Sequence, residues 1–143
     1  MVVGLTGGIG SGKTTVAKMF EAQEDVVVYY ADIEAKKLMN SSETIRLNLI
    51  EQFGKDTYLN NELNRSYLAD IVFKDPAKLK ILNSIVHPEV YEHLNEFIEN
   101  NKDKNYIVYE NAILFENKSD AFCDKIITVT APLDIRINRV VKR

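Results

Sequence analysis

The segment Gly7-Gly8-Ile9-Gly10-Ser11-Gly12-Lys13-Thr14 fits G-x-x-x-x-G-K-[ST], and no other feature constrains the chain as strongly. Glycines let the backbone turn tightly and aim its N–H groups at phosphate oxygens. The lysine reaches the β- and γ-phosphates, and the Thr14 hydroxyl is placed to hold a divalent cation. Such a loop works only between a strand and a helix, because the helix N-terminus adds its own positive field at the anion. Both neighbours are present. Met1 to Thr6 reads as a short buried strand, and Thr15 to Phe20 as the first turns of a helix. Gly8, Gly10, Ser11, Gly12, Lys13, Thr14 and Thr15 are therefore the expected phosphate-binding residues.

Asp25 to Asp32 is a continuous β-branched and aromatic run that suits a second strand buried on both faces. It ends at Asp32, and the carboxyl end of a strand is where open α/β sheets bind ligands. The strand is expected beside the first one, which would bring Asp32 to the phosphates. Tyr106 to Glu110 and Lys125 to Thr130 read as the third and fourth strands, and Pro132 opens a helix. Strands alternating with helices imply an α/β fold with a parallel sheet and flanking helices.

Between these strands, residues 33–104 read as a helical insert that builds a second binding surface. Ile45, Leu49, Ile50 and Phe53 recur at helical spacing, with Ser41 or Ser42 as cap and Gly54 as stop. Asn64 and Asp75-Pro76 open two further helices, and His87-Pro88 is expected to interrupt the second. Residues 1–143 thus read as one domain. Four strands is one short for this architecture, and no stop signal follows the last helix. A C-terminal lid and a closing strand are expected to be absent from this chain.

A net charge of -3 argues against a nucleic-acid partner. The single Cys123 forms no intrachain disulfide. No apolar run approaches the about 20 residues of a membrane span, and no signal peptide is visible, so the cytoplasm is the expected location. No residue pattern speaks to oligomeric state.

Two classes of phosphate-loop protein compete. Asn117-Lys118-Ser119-Asp120 fits the guanine-reading motif N-K-x-D of a GTPase. A GTPase also needs D-x-x-G, and three places before Gly54 stands Glu51. Asn117 to Asp120 therefore reads as a capping turn. A kinase needs a carboxylate for the acceptor hydroxyl, an acceptor pocket and arginines for the transferring phosphoryl group. Asp32 is the carboxylate best suited to this task. Glu110, ending the third strand, reads either as a ligand of the Mg²⁺ water shell or as a structural carboxylate.

At this point Gly4 to Thr14 resembles the opening of the dephospho-coenzyme A kinases. Later landmarks of that family follow in order: Ala31-Asp32 with Ala35, Leu63-Asn64-Arg65 with Leu68 and Phe73, Leu82-Asn83 with His87-Pro88, and Ile113 to Glu116. Arg136, Arg139 and Arg143 fall where the family carries arginine-rich turns. The resemblance covers the whole chain. It implies ATP with Mg²⁺, dephospho-coenzyme A as acceptor, and transfer to its ribose 3′-hydroxyl, the last step of coenzyme A synthesis. It also implies Lys13 and Asp32 as catalytic groups, Arg65 and His87 on the acceptor, Arg139 and Arg143 on the nucleotide, and Thr14 and Glu110 at the metal. His87 alternatively bridges a helix break, Arg65 is alternatively a solvated charge at a helix start, and the last arginines alternatively stabilise a helix C-terminus through its dipole. Ala112 stands where the family usually has proline, which is expected to loosen the turn after the third strand. Two alternatives remain at this level: another small-metabolite kinase with a phosphate loop, or a non-catalytic nucleotide-binding fragment.

Overall fold

The computed structural model describes residues 1–142. In chain order, β1 (Val2–Thr6), α1 (Lys13–Glu21) and β2 (Val26–Tyr30) are followed by α2 (Ala31–Ser41) and α3 (Glu43–Phe53). A short hairpin, β3 (Tyr58–Leu59) and β4 (Glu62–Leu63), precedes α4 (Arg65–Val72) and α5 (Pro76–Asn100). The chain continues through β5 (Tyr106–Glu110), β6 (Lys125–Thr128) and α6 (Leu133–Val141). Two compact units result: Met1–Ala31 with the chain from Glu96 onward, and Asp32–Asn95.

The first unit is a parallel four-stranded sheet in the order β2-β5-β1-β6. The sequence reading placed β2 directly beside β1. Instead β5 lies between them, pairing Leu5 with Glu110 on one side and Tyr30 with Glu110 on the other. Burial explains the choice. A central parallel strand is covered on both faces, and Ile107, Val108 and Tyr109 are all at most 3% exposed. β2 is mostly half-buried and takes one edge, rather than being buried on both faces, while β6 is exposed at the other. Leu5, Ala17 and Val108 form a core with Val16, Phe20 and Val28 packed against it. The Tyr29 ring meets those of Phe97 and Tyr109 edge-on, at 5.2 and 5.9 Å between centroids.

The second unit packs around Ile45, Leu49, Phe53, Leu68, Val86 and Val90. Its helix ends follow the expected chemistry. The Ser42 hydroxyl accepts from Ile45 N–H at 3.2 Å, and Asn64 Oδ1 accepts from Tyr67 N–H at 3.4 Å. Asp75 Oδ1 accepts from Ala77 N–H at 2.9 Å, and Gly54 closes α3 with φ 92°.

Three local readings are corrected. Asp32 does not end a strand; it lies in the first turn of α2, where a carboxylate favours the helix N-terminus. Residues 58–63 form a hairpin, not helix, because Asn60 and Asn61 both adopt positive φ, 50° and 66°, as a two-residue hairpin turn requires. Helix α5 runs unbroken through His87-Pro88. A proline inside a helix costs about 3 kcal/mol, but Val86, Val90 and Leu94 are buried along α5 on both sides of it. Burial of each contributes about 1.5–3 kcal/mol, so the helix survives.

Candidate functional site

The phosphate loop leaves β1 at Thr6 and enters α1 at Lys13. Gly12 caps the helix in the left-handed region, φ 99°, which a residue with a Cβ rarely adopts. Within the loop, Ser11 N–H donates to Gly8 C=O at 3.0 Å, and Val16 N–H to Gly12 C=O at 3.1 Å. The Ser11 hydroxyl oxygen is buried with no hydrogen-bond partner among the described residues. A bound anion would satisfy such a group, so the loop fits a phosphate. Thr14 and Thr15 are exposed in the first turn of α1.

Lys13 forms an ion pair with Glu110. The two side chains are 11% and 6% exposed, so both charges are largely removed from water. The pair follows from the sheet order: β5 is the neighbour of β1, and its last residue carries the carboxylate. Beyond Glu110 the turn is tied by Asn111, whose Nδ2 donates to Tyr109 Oη at 2.7 Å and whose Oδ1 accepts from Ile113 N–H at 3.0 Å. The turn that Ala112 was expected to loosen thus has its own side-chain anchor. Asn117 Oδ1 accepts from Ser119 N–H at 3.1 Å beside a short 3₁₀ turn over Ser119–Phe122, whose cap residue Lys118 makes no side-chain cap hydrogen bond.

Helix α6 lies along the loop. Arg139 Nη1 donates to Gly10 C=O at 3.0 Å and to Ser11 C=O at 3.2 Å. Arg136 Nε donates to Ile9 C=O at 3.0 Å. A cleft of about 610 Å³ opens beside the loop, lined by Gly10, Ser11, Gly12, Thr15, Met19 and Arg139 among others. Gly8, Gly10, Ser11, Gly12, Lys13, Thr14, Thr15, Glu110 and Arg139 therefore all belong to the first unit. Arg143 lies outside the described residues.

Asp32, Arg65 and His87 belong to the second unit. Asp32 and Arg65 are exposed, each in the first turn of its helix. Arg65 lines an apolar groove of about 240 Å³ with Lys36, Met39, Leu68, Val72 and Leu82. His87 is half-buried, with its ring 5.9 Å from that of Tyr91, and burial pushes its pKa below the usual 6.5.

The contact of Arg136 with the loop was not anticipated from its place in an arginine-rich turn. A signal was present. Gly8 and Gly10 occupy positions that the loop pattern leaves free, and two unforced glycines mark a loop against which something packs closely.

A phosphate loop between β1 and α1 of a parallel sheet defines a P-loop α/β protein. The family model described as CoaE, dephospho-CoA kinase, matches residues 1–143. A dephospho-CoA kinase of Fusobacterium nucleatum is 39% identical, the match covering 100% of this chain and 73% of the relative. One from Salinibacter ruber is 41% identical over 99% of this chain and 72% of the relative. The crystal structure of TT1252 from Thermus thermophilus superposes with a TM-score of 0.85 at 33% identity, covering 100% of this chain and 72% of that one. A dephospho-CoA kinase from Campylobacter jejuni shares the fold, with a TM-score of 0.62 at 17% identity, over 99% of this chain and 94% of that one. The chain belongs to the dephospho-CoA kinase family.

Proposed function

We propose that the chain transfers the γ-phosphoryl group of ATP to the 3′-hydroxyl of dephospho-coenzyme A. Family membership along the whole chain supports the reaction. The observation that carries it is the preformed phosphate loop, with a glycine-capped helix, a buried unpartnered Ser11 hydroxyl and Lys13 in the first turn.

In this reading Gly8, Gly10, Ser11, Gly12, Thr14 and Thr15 hold the phosphates, and Lys13 neutralises charge that builds on the transferring group. Thr14 and Glu110 supply oxygens for Mg²⁺, a donor type that suits this hard cation. Held by Thr14 and Glu110, Mg²⁺ would supply positive charge that offsets the charge of the phosphates. Lys13 then exchanges its Glu110 partner for phosphate oxygens. Asp32 orients or deprotonates the acceptor hydroxyl. Arg65 and His87 contact the acceptor, which makes Asp32–Asn95 the acceptor-binding insert of a single kinase domain. His87 would act as a neutral imidazole, since burial lowers its pKa. Arg139, beside the cleft, contacts the nucleotide, and Arg143 is assigned the same role. Substrates of this kind fit the cytoplasm. Among the described residues no helix is long and apolar enough to cross a membrane.

The test is ADP release with ATP, Mg²⁺ and dephospho-coenzyme A, with adenosine and shikimate as control acceptors. Release that depends on dephospho-coenzyme A is expected. Release that is indifferent to it, or faster with a control acceptor, would overturn the proposal.

A further inference from the structure

One residue, Arg136, touches three consecutive residues of the phosphate loop. Its Nε donates to Ile9 C=O at 3.0 Å across a sequence separation of 127. Its guanidinium lies against Gly8, where a Cβ would stand 2.7 Å from Nη2. Its main chain lies against Gly10, where a Cβ would stand 2.7 Å from the Arg136 carbonyl oxygen. Gly10 also has φ +76°. At Gly10 the main chain of Arg136 adds to the demand of its φ, and at Gly8 the neighbour is the flexible end of the Arg136 side chain. Arg136 is only half-buried, so its main gain lies in these contacts rather than in filling a core.

The peptide group is planar and trans, so a carbonyl and the N–H that follows it point opposite ways. Holding the Ile9 carbonyl toward α6 turns the Gly10 N–H away from α6. Arg139 acts likewise on the Ser11 carbonyl, and hence on the N–H of Gly12, whereas the Ser11 N–H is held within the loop by the Gly8 carbonyl. Holding the Ile9 and Ser11 carbonyls outward presents the N–H groups of Gly10 and Gly12 inward, where an anion binds. Donors fixed before the ligand arrives cost no reorganisation on binding.

We propose that Arg136 is a positioning residue for nucleotide binding, which clamps Gly8-Ile9-Gly10 from outside and aims the Gly10 N–H at the phosphates. The inference rests on the reading of this loop as the ATP site. The plainer role would be a staple that merely fastens α6, and the two roles separate experimentally.

ATP affinity is measured by calorimetry on the folded chain, alongside thermal stability. Arg136→Ala is expected to weaken ATP about tenfold, the loss typical of one charge-assisted hydrogen bond. Arg136→Gln, which keeps a donor and much of the volume, serves if the alanine variant does not fold, and is expected to fall between. Gly8→Ala places a methyl where the guanidinium lies, so it is expected to weaken ATP in the native background and add little in Arg136→Ala. Unchanged ATP affinity with lowered stability in the Arg136 variants would overturn the proposal and leave the staple. Additive losses for Gly8→Ala and Arg136→Ala would overturn it too, since the two changes would then act separately. Lys13→Ala distinguishes this failure from that of the ATP site itself: if ATP affinity also survives Lys13→Ala, the loop is not the site.

Discussion

In the first unit the candidate phosphate-binding groups are main-chain atoms, short hydroxyl side chains and one lysine. Gly12 is fixed by its left-handed φ, the Ile9 to Ser11 carbonyls by arginines, and Lys13 by Glu110. In the second unit the candidate acceptor residues are exposed or half-buried side chains on helices, and Arg65 stands at a groove of apolar residues. The contrast concerns how recognition is built. A phosphate has the same shape in every nucleotide, so rigid main-chain geometry recognises it and constrains the sequence tightly. A large acceptor is met by side-chain surface on a helical frame, which many sequences can form. Damage to the first unit should therefore appear in binding and chemistry, and damage to the second in stability or acceptor handling.

The largest effect is expected from Lys13→Ala. Turnover should fall by about a hundredfold or more, the scale of losing a preorganised charge at the transition state. The variant also strands Glu110 at 6% side-chain exposure, which should cost about 3 kcal/mol of stability. Denaturant melts of Lys13→Met/Glu110→Gln should recover that stability without recovering turnover. A single variant as stable as the native chain would show that the ion pair does not form in solution.

Asp32→Asn sharpens the comparison at the first residue of the second unit. Turnover should fall about a hundredfold, a typical contribution of a general base, while calorimetric ATP affinity stays near native. An equal loss in both would remove Asp32 from the acceptor side. Leu49→Ala empties a fully buried site in the second unit and should cost about 2–5 kcal/mol. At a temperature where the variant is folded, ATP affinity should not move. If it falls tenfold, the two units are not energetically separable.

The smallest effect concerns His87. Its folded pKa lies below 6.5, so below pH 6.5 the unfolded chain binds a proton that the folded chain does not. Stability should decline as pH drops from 6.5 toward that lowered value, then level off. His87→Gln should flatten this part of the profile. Melting temperatures that fall equally steeply in native and variant chains would assign the decline to other groups.

Legibility in the sequence followed the range of the forces involved. The phosphate loop, the caps at Ser42, Asn64 and Asp75, and the stop at Gly54 are local, and each was readable from a few adjacent residues. The hairpin at Asn60-Asn61 was equally local, yet it hid among helical segments because its strands are only two residues long. Pro88 misled because local propensity argued for a break, while apolar burial along α5 outweighed it.

By itself the sequence determined the phosphate loop, the alternation of strands and helices, the helical character of most of residues 33–104 and the family to which the landmarks belong. These rest on backbone conformation, capping and periodicity, which act over a few residues. Only the tertiary structure decided that β5 stands between β1 and β2, that Lys13 rests on Glu110, and that Arg136 lies against Gly8 and Gly10. Each joins residues about a hundred positions apart, through competition for burial and for hydrogen-bond partners that no local stretch of sequence contains.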